Sequence, residues 1–155
     1  MRREGRSTIR LRFIVTDPVP GVALALQSGR FDLVPPTSVT ASAVTFECAV
    51  EACQPVAGGP VVCYGPFTQG PPAARFVYIT VGTRAGQPNS PYERRAKIPL
   101  TGITPELFLG AVKDPERMLE VRFGGRGRDG SPVCATVKLA ADAWRLVSSP
   151  TGPVR

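Results

Sequence analysis

The 155-residue chain contains no histidine, and that single gap removes much of ordinary active-site chemistry. Without an imidazole there is no Ser-His-Asp or Cys-His nucleophile. The four cysteines, Cys48, Cys53, Cys63 and Cys134, form no C-x-x-C pair, so a zinc site is not expected. Cys48 and Cys134 fall inside strand patterns and read as small buried hydrophobes. Glu47 and Glu51 stand four apart on a strand, on one face but roughly 13 Å apart by strand rise. That is too far for a shared catalytic role and suits separate salt bridges. Asp17 and Asp32 lie beside turns, where a carboxylate caps backbone amides. Gly124-Gly125-Arg126-Gly127 sits between two strand patterns instead of opening a helix, so it reads as a hairpin and not as a phosphate loop. What remains is a polar and aromatic set: Gln27, Tyr64, Phe67, Gln69, Arg75, Tyr78, Arg94, Arg95 and Lys97. Arginines suit an anionic or carbonyl group, and aromatic rings suit a flat apolar body, so several of these residues could line one pocket. A purely structural reading stays open beside it: Tyr78 in the core, Gln69 in a turn, and the arginines paving an exposed face.

The elements that must position this set are mostly strands. The hexapeptide Phe76–Val81 (FVYITV) is β-branched and aromatic without a breaker, which predicts a buried central strand. The loop before it, from Tyr64, carries Gly65, Pro66, Gly70, Pro71 and Pro72, a stiff path suited to a binding rim. Residues 8–16 alternate, with Ile9, Leu11, Phe13 and Val15 on one side and Arg10 and Arg12 on the other, as in a half-buried strand. Further strands are expected over residues 22–27, 31–34, 43–51 and 61–64. Residues 83–91 read as a long exposed loop, and 94–100 as an edge strand ending near Pro99. Thr104-Pro105-Glu106 is a helix start, with Leu107, Phe108, Ala111 and Val112 on one face and Asp114-Pro115 as the stop. Residues 118–123 and 132–139 are expected to pair as a hairpin across the Asp129-Gly130 turn. Residues 143–147, with Trp144, form a last short strand or cap, and the tail from 148 should fray.

Seventeen prolines and sixteen glycines favour many short elements joined by turns. The expected fold is therefore all-β and mainly antiparallel, a single-domain barrel or sandwich of eight or nine short strands with one covering helix, spanning residues 1–155. A basic N-terminal tail (1–7) and a flexible C-terminal tail (148–155) flank it. The net charge of +7 comes from sixteen arginines and only three lysines. With no basic helix and no interleaved aromatic stripe, this charge reads as a solvated surface, and nucleic acid is not an expected partner. No apolar run suits a signal peptide or a membrane span, so a cytoplasmic protein with reduced thiols is expected.

The blocks VALALQSGR (22–30), DLVP (32–35), VTFECAVEA (44–52), GPFTQG (65–70), RFVYITVG (75–82), RRAKIPL (94–100) and DGSPVCATVKL (129–139), followed by Trp144, resemble a bacterial family. It is catalogued as domain of unknown function 5990. Two departures show: Ala73-Ala74 stands where the family usually has Gly-Glu, and the loop before Arg94-Arg95-Ala96-Lys97 is longer. The resemblance implies a bacterial domain and carries no substrate. Three functions stay open. The first is a binding module for a small organic or anionic ligand, or for a partner, without turnover or cofactor. The second is a cofactor-independent enzyme of cyclase or isomerase type, with Tyr64, Tyr78 or Arg75 at work in a barrel pocket. The third is a basic accessory subunit, or a homodimer, pairing through the strand edge at 94–100.

Overall fold

The computed structural model describes residues 6–28, 33–82, 95–133 and 135–148. The expected loop at 83–91, Arg94, Asp32, Cys134 and the two tails up to 5 and from 149 lie outside the described residues. The chain folds as an all-β protein with one α-helix, a curled half-barrel sheet facing a second sheet.

The larger sheet has six strands: β1 (Ser7–Thr16), β4 (Ser38–Val39), β5 (Ala43–Cys53), β6 (Val62–Tyr64), β9 (Arg117–Gly124) and β10 (Arg145–Ser148), in the order β10-β9-β1-β5-β4 with β6 also on β5. The smaller sheet holds β2 (Ala23–Gln27), β3 (Leu33–Val34), β7 (Phe76–Gly82) and β8 (Arg95–Pro99), in the order β3-β2-β7-β8. Among the described strands the pairings are antiparallel except β1 with β9, which run parallel from Leu11 opposite Leu119 to Thr16 opposite Gly124.

Alternation decides which side chains meet between the sheets. Ile9, Leu11, Phe13 and Val15 of β1 and Phe46 of β5 meet Leu26, Val77, Ile79 and Ile98 of the smaller sheet in one core. The helix α1 (Pro105–Lys113) starts as expected: the Thr104 hydroxyl accepts from the Leu107 amide at 3.2 Å, and Pro105 opens the first turn. It packs Phe108 and Ala111 into the same core and touches β1, β9 and β10. Trp144 sets its ring edge-on to Phe13 at 5.7 Å and donates to the Pro99 carbonyl, tying the end of β8 to the larger sheet.

Several expectations are corrected. β1 is the middle of the larger sheet, not a half-wet strand. Arg12 on its outer side is buried and bonds Glu120 at 2.7 Å, with Glu47 at 3.3 Å. β7 is interior to the smaller sheet only, and Phe76 is half-buried because its side chain points away from the core. Among the described residues, 132–133 and 135–139 form no strand against β9. Both edges of β9 are already taken by β1 and β10, and the Asp129-Gly130 turn closes only a single bridge between Arg126 and Pro132. The chain then runs along β8 instead, where the Lys97 amide donates to Ala135 and the Val137 amide to Lys97. Asp17 does not act as an amide cap in the expected way: it sits at φ 51° with its carboxylate 3.2 Å from Arg126. Ser148 is the last residue of β10, paired with Arg117, and not part of a frayed tail.

Candidate functional site

The outward face of the smaller sheet collects the residues with the most chemistry. Paired residues on antiparallel strands share a face. Leu33 lies opposite Gln27, Gln27 opposite Tyr78, and Tyr78 opposite Lys97, so one row crosses all four strands. The next row holds Thr80 and Arg95, and the row on the other side holds Phe76. Because Leu26, Val77, Ile79, Ala96 and Ile98 claim the core, their neighbours Gln27, Phe76, Tyr78, Arg95 and Lys97 are turned the other way.

Each cation leans diagonally onto a ring. The Arg95 guanidinium lies 4.3 Å from the centre of Tyr78, and Lys97 Nζ lies 4.1 Å from the centre of Phe76. The two rings meet edge-to-face at 4.9 Å. Among the described residues neither Arg95 nor Lys97 has a carboxylate partner. Gln27 completes the row with 0% of its surface exposed, and among the described residues neither Nε2 nor Oε1 has a hydrogen-bond partner. An unsatisfied buried polar group costs about 1–3 kcal/mol, so this carboxamide weakens the fold where it stands.

A second group occupies the rim. Tyr64 lies between Arg6, 3.7 Å from the ring centre, and Arg75, 5.2 Å from it. Arg6 pairs with Glu51, and Arg75 donates to the Gly70 carbonyl while its buried Nε has no partner. Beside Tyr64 an open groove of about 420 Å³ is lined by Arg6, Thr8, Glu51 and Pro66. Gly70 is held at φ +93°, and a Cβ there would fall 2.6 Å from the Phe76 ring, so only glycine lets the loop close over that ring. Gln69 and Phe76 exchange backbone hydrogen bonds at 2.9 Å, which joins the rim loop to the start of β7.

Cys48 and Cys63 are not poised for reaction. Burial pushes Cys63 up to about 11, against a lowering by Arg75 and a further raising by Cys53. Burial likewise pushes Cys48 up to about 12, with Cys63 adding to the rise. Thiols this weakly acidic supply no thiolate near neutrality. Among the described residues no group of three or more Cys, Asp or Glu is placed to hold a metal ion, and no helix is long and apolar enough to cross a membrane.

A family model described as a family of unknown function, DUF5990, matches residues 9–147. The chain belongs to this family. No curated protein and no solved structure matches it. The DUF5990 match runs from β1 into β10 and so contains both the row on the smaller sheet and the rim at Tyr64.

Within this DUF5990 chain the nine residues singled out from sequence do not form one pocket. Gln27, Tyr78, Arg95 and Lys97 share the outward face, and Gln69 adjoins it through its bridge to Phe76. Tyr64 and Arg75 meet at the rim, Phe67 packs against the core, and Arg94 lies outside the described residues. Sequence reasoning missed Phe76, placed in the core, and Arg6, assigned to a basic tail. The alternation of FVYITV could have found the first, since Phe76 and Tyr78 share a face two residues apart. Nothing local announces Arg6, which reaches Tyr64 only because β6 pairs with the end of β5 beside β1.

Proposed function

We propose that this protein is a binding module without turnover, and that its site is the outward face of β2, β7 and β8. The ligand is a small anion with a flat apolar body: Arg95 and Lys97 meet the charge, and Phe76 and Tyr78 meet the body. One observation carries this reading, the fully buried Gln27 carboxamide with neither polar atom partnered, in one row with Tyr78 and Lys97. A buried polar group that the fold leaves unsatisfied, at a cost in stability, fits a site completed by a ligand. The reading also places the chain in a reducing compartment, the cytoplasm, where Cys53 and Cys63 remain thiols. Partner binding through β8 has less support, because the outward amide and carbonyl of Lys97 are already occupied by Ala135 and Val137 and Pro99 has no amide to offer.

Native mass spectrometry of protein purified from its own host tests the proposal. A retained small molecule is expected in the parent and a clear loss of it in Arg95→Ala and Lys97→Ala, with melting temperatures little changed. Equal retention in both variants would remove this face from the site.

A further inference from the structure

The buried carboxamide of Gln27 narrows the ligand further, on the condition that the proposed face is the site. A carboxamide presents an acceptor oxygen and an N–H donor side by side in one plane. In Gln27 both atoms are unpartnered and no part of the side chain is exposed. A carboxylate or phosphate offers acceptors alone, so it would satisfy Nε2 and bring negative oxygen against Oε1. A hydroxyl reaches one atom at a time. The edges that satisfy both atoms together carry an N–H donor next to an acceptor, either a lactam N–H beside its carbonyl or an amino group beside a ring nitrogen. Glutamine reads the amino and ring-nitrogen edge of adenine through this bidentate geometry.

The rest of the row fixes the other half of the ligand. Tyr78 is one strand from Gln27 and Lys97 is two, so the carboxamide and the lysine backbone stand about 10 Å apart by strand spacing. That separation exceeds a single ring. The anion is therefore carried on an arm beyond the heterocycle, over Tyr78 and toward Lys97 and Arg95, neither of which has an acidic partner among the described residues. Gln27 lies deep and the cations are half-exposed, which sets the order of entry: heterocycle edge inward, anion outward.

We infer that the face recognises a small planar heterocycle with an N–H donor beside an acceptor on one edge, read by Gln27, that carries an anionic arm held by Lys97 and Arg95. This is the chemistry of a free nucleotide.

Isothermal titration calorimetry on the full chain tests it with five probes: uridine 5′-monophosphate, guanosine 5′-monophosphate, adenosine 5′-monophosphate, N3-methyluridine 5′-monophosphate and phenyl phosphate. At least one unmodified nucleotide is expected to bind roughly ten- to a hundredfold more tightly than the N-methylated nucleotide and phenyl phosphate, since these leave the carboxamide unpaired. Gln27→Leu should erase that preference, and Lys97→Ala should weaken every probe. Phenyl phosphate binding as tightly as the nucleotides, and lost in Lys97→Ala, would overturn the edge assignment while leaving the anion site intact. Absence of heat with all five probes would overturn the edge assignment and the anion site together. Tighter binding of a single-stranded uridine oligomer than of the mononucleotides would overturn the assignment to a free small molecule.

Discussion

A leucine in place of Gln27 would nearly keep the side-chain volume while removing two polar atoms that have no partners. The free protein should then gain about 1–3 kcal/mol in urea denaturation, because the desolvation cost of the orphaned groups disappears. Loss of stability in Gln27→Leu would show that the carboxamide is a structural member of the sheet. The cysteines make a separate prediction with a defined sign. Cys63 is raised to about 11 and Cys48 to about 12, both above the ordinary 9.0. Above about pH 9 the unfolded chain releases these protons and the folded chain keeps them, so stability falls as pH rises toward about 11–12. Below that window the thiols contribute no slope. Urea melts at about pH 8 and about pH 10 should differ in this direction, and Cys63→Ala should flatten the difference; an unchanged slope would mean that the thiol titrates as in the unfolded chain.

At the scale of elements, the two strands named from sequence exchange rank. Phe13 on β1 is fully buried, whereas Phe76 on β7 is half-exposed on the outward face. Phe13→Ala should therefore cost about 3–5 kcal/mol, and Phe76→Ala a smaller amount of about 1–2 kcal/mol. Equal losses in denaturant melts would contradict the orientation of β7. Thr104→Ala should cost about 1 kcal/mol by removing the oxygen that accepts from Leu107. Most elements were legible because their signals are local. Alternation marked β1, β5 and β7, and a capping Thr followed by Pro marked the helix. The failed hairpin has a physical reason too. A turn signal at Asp129-Gly130 forms its turn, yet whether the flanking segments pair depends on which strand edges are free, and β9 had none left.

At the scale of the whole molecule, β1 is held on its outer side by charge as well as by its ladder. Arg12 bridges Glu47 on β5 and Glu120 on β9, and Glu120 also meets Arg122 at 3.3 Å. This joins the antiparallel and parallel neighbours of β1 through one buried guanidinium. Glu120→Leu should destabilise the protein by about 3 kcal/mol, because Arg12 keeps the more exposed Glu47 as its remaining carboxylate among the described residues. The double variant Arg12→Met/Glu120→Leu should recover most of that loss in thermal melts. A double variant no better than the single one would mean that the ion pair itself, and not the stranded charge, supplies the stability.

The residues alone were enough for the class of fold: short β-branched runs between prolines and glycines, one capped helix, and no histidine to drive familiar nucleophilic chemistry. They also singled out Gln27, Tyr78, Arg95 and Lys97, which the smaller sheet brings to one face. Where those side chains meet was decided by pairings between distant segments. Gln27 and Lys97 are seventy positions apart in sequence and share a row only because each is registered against Tyr78. Strand register is fixed by the burial of a whole face, a property of the packed sheets that no single stretch of chain contains.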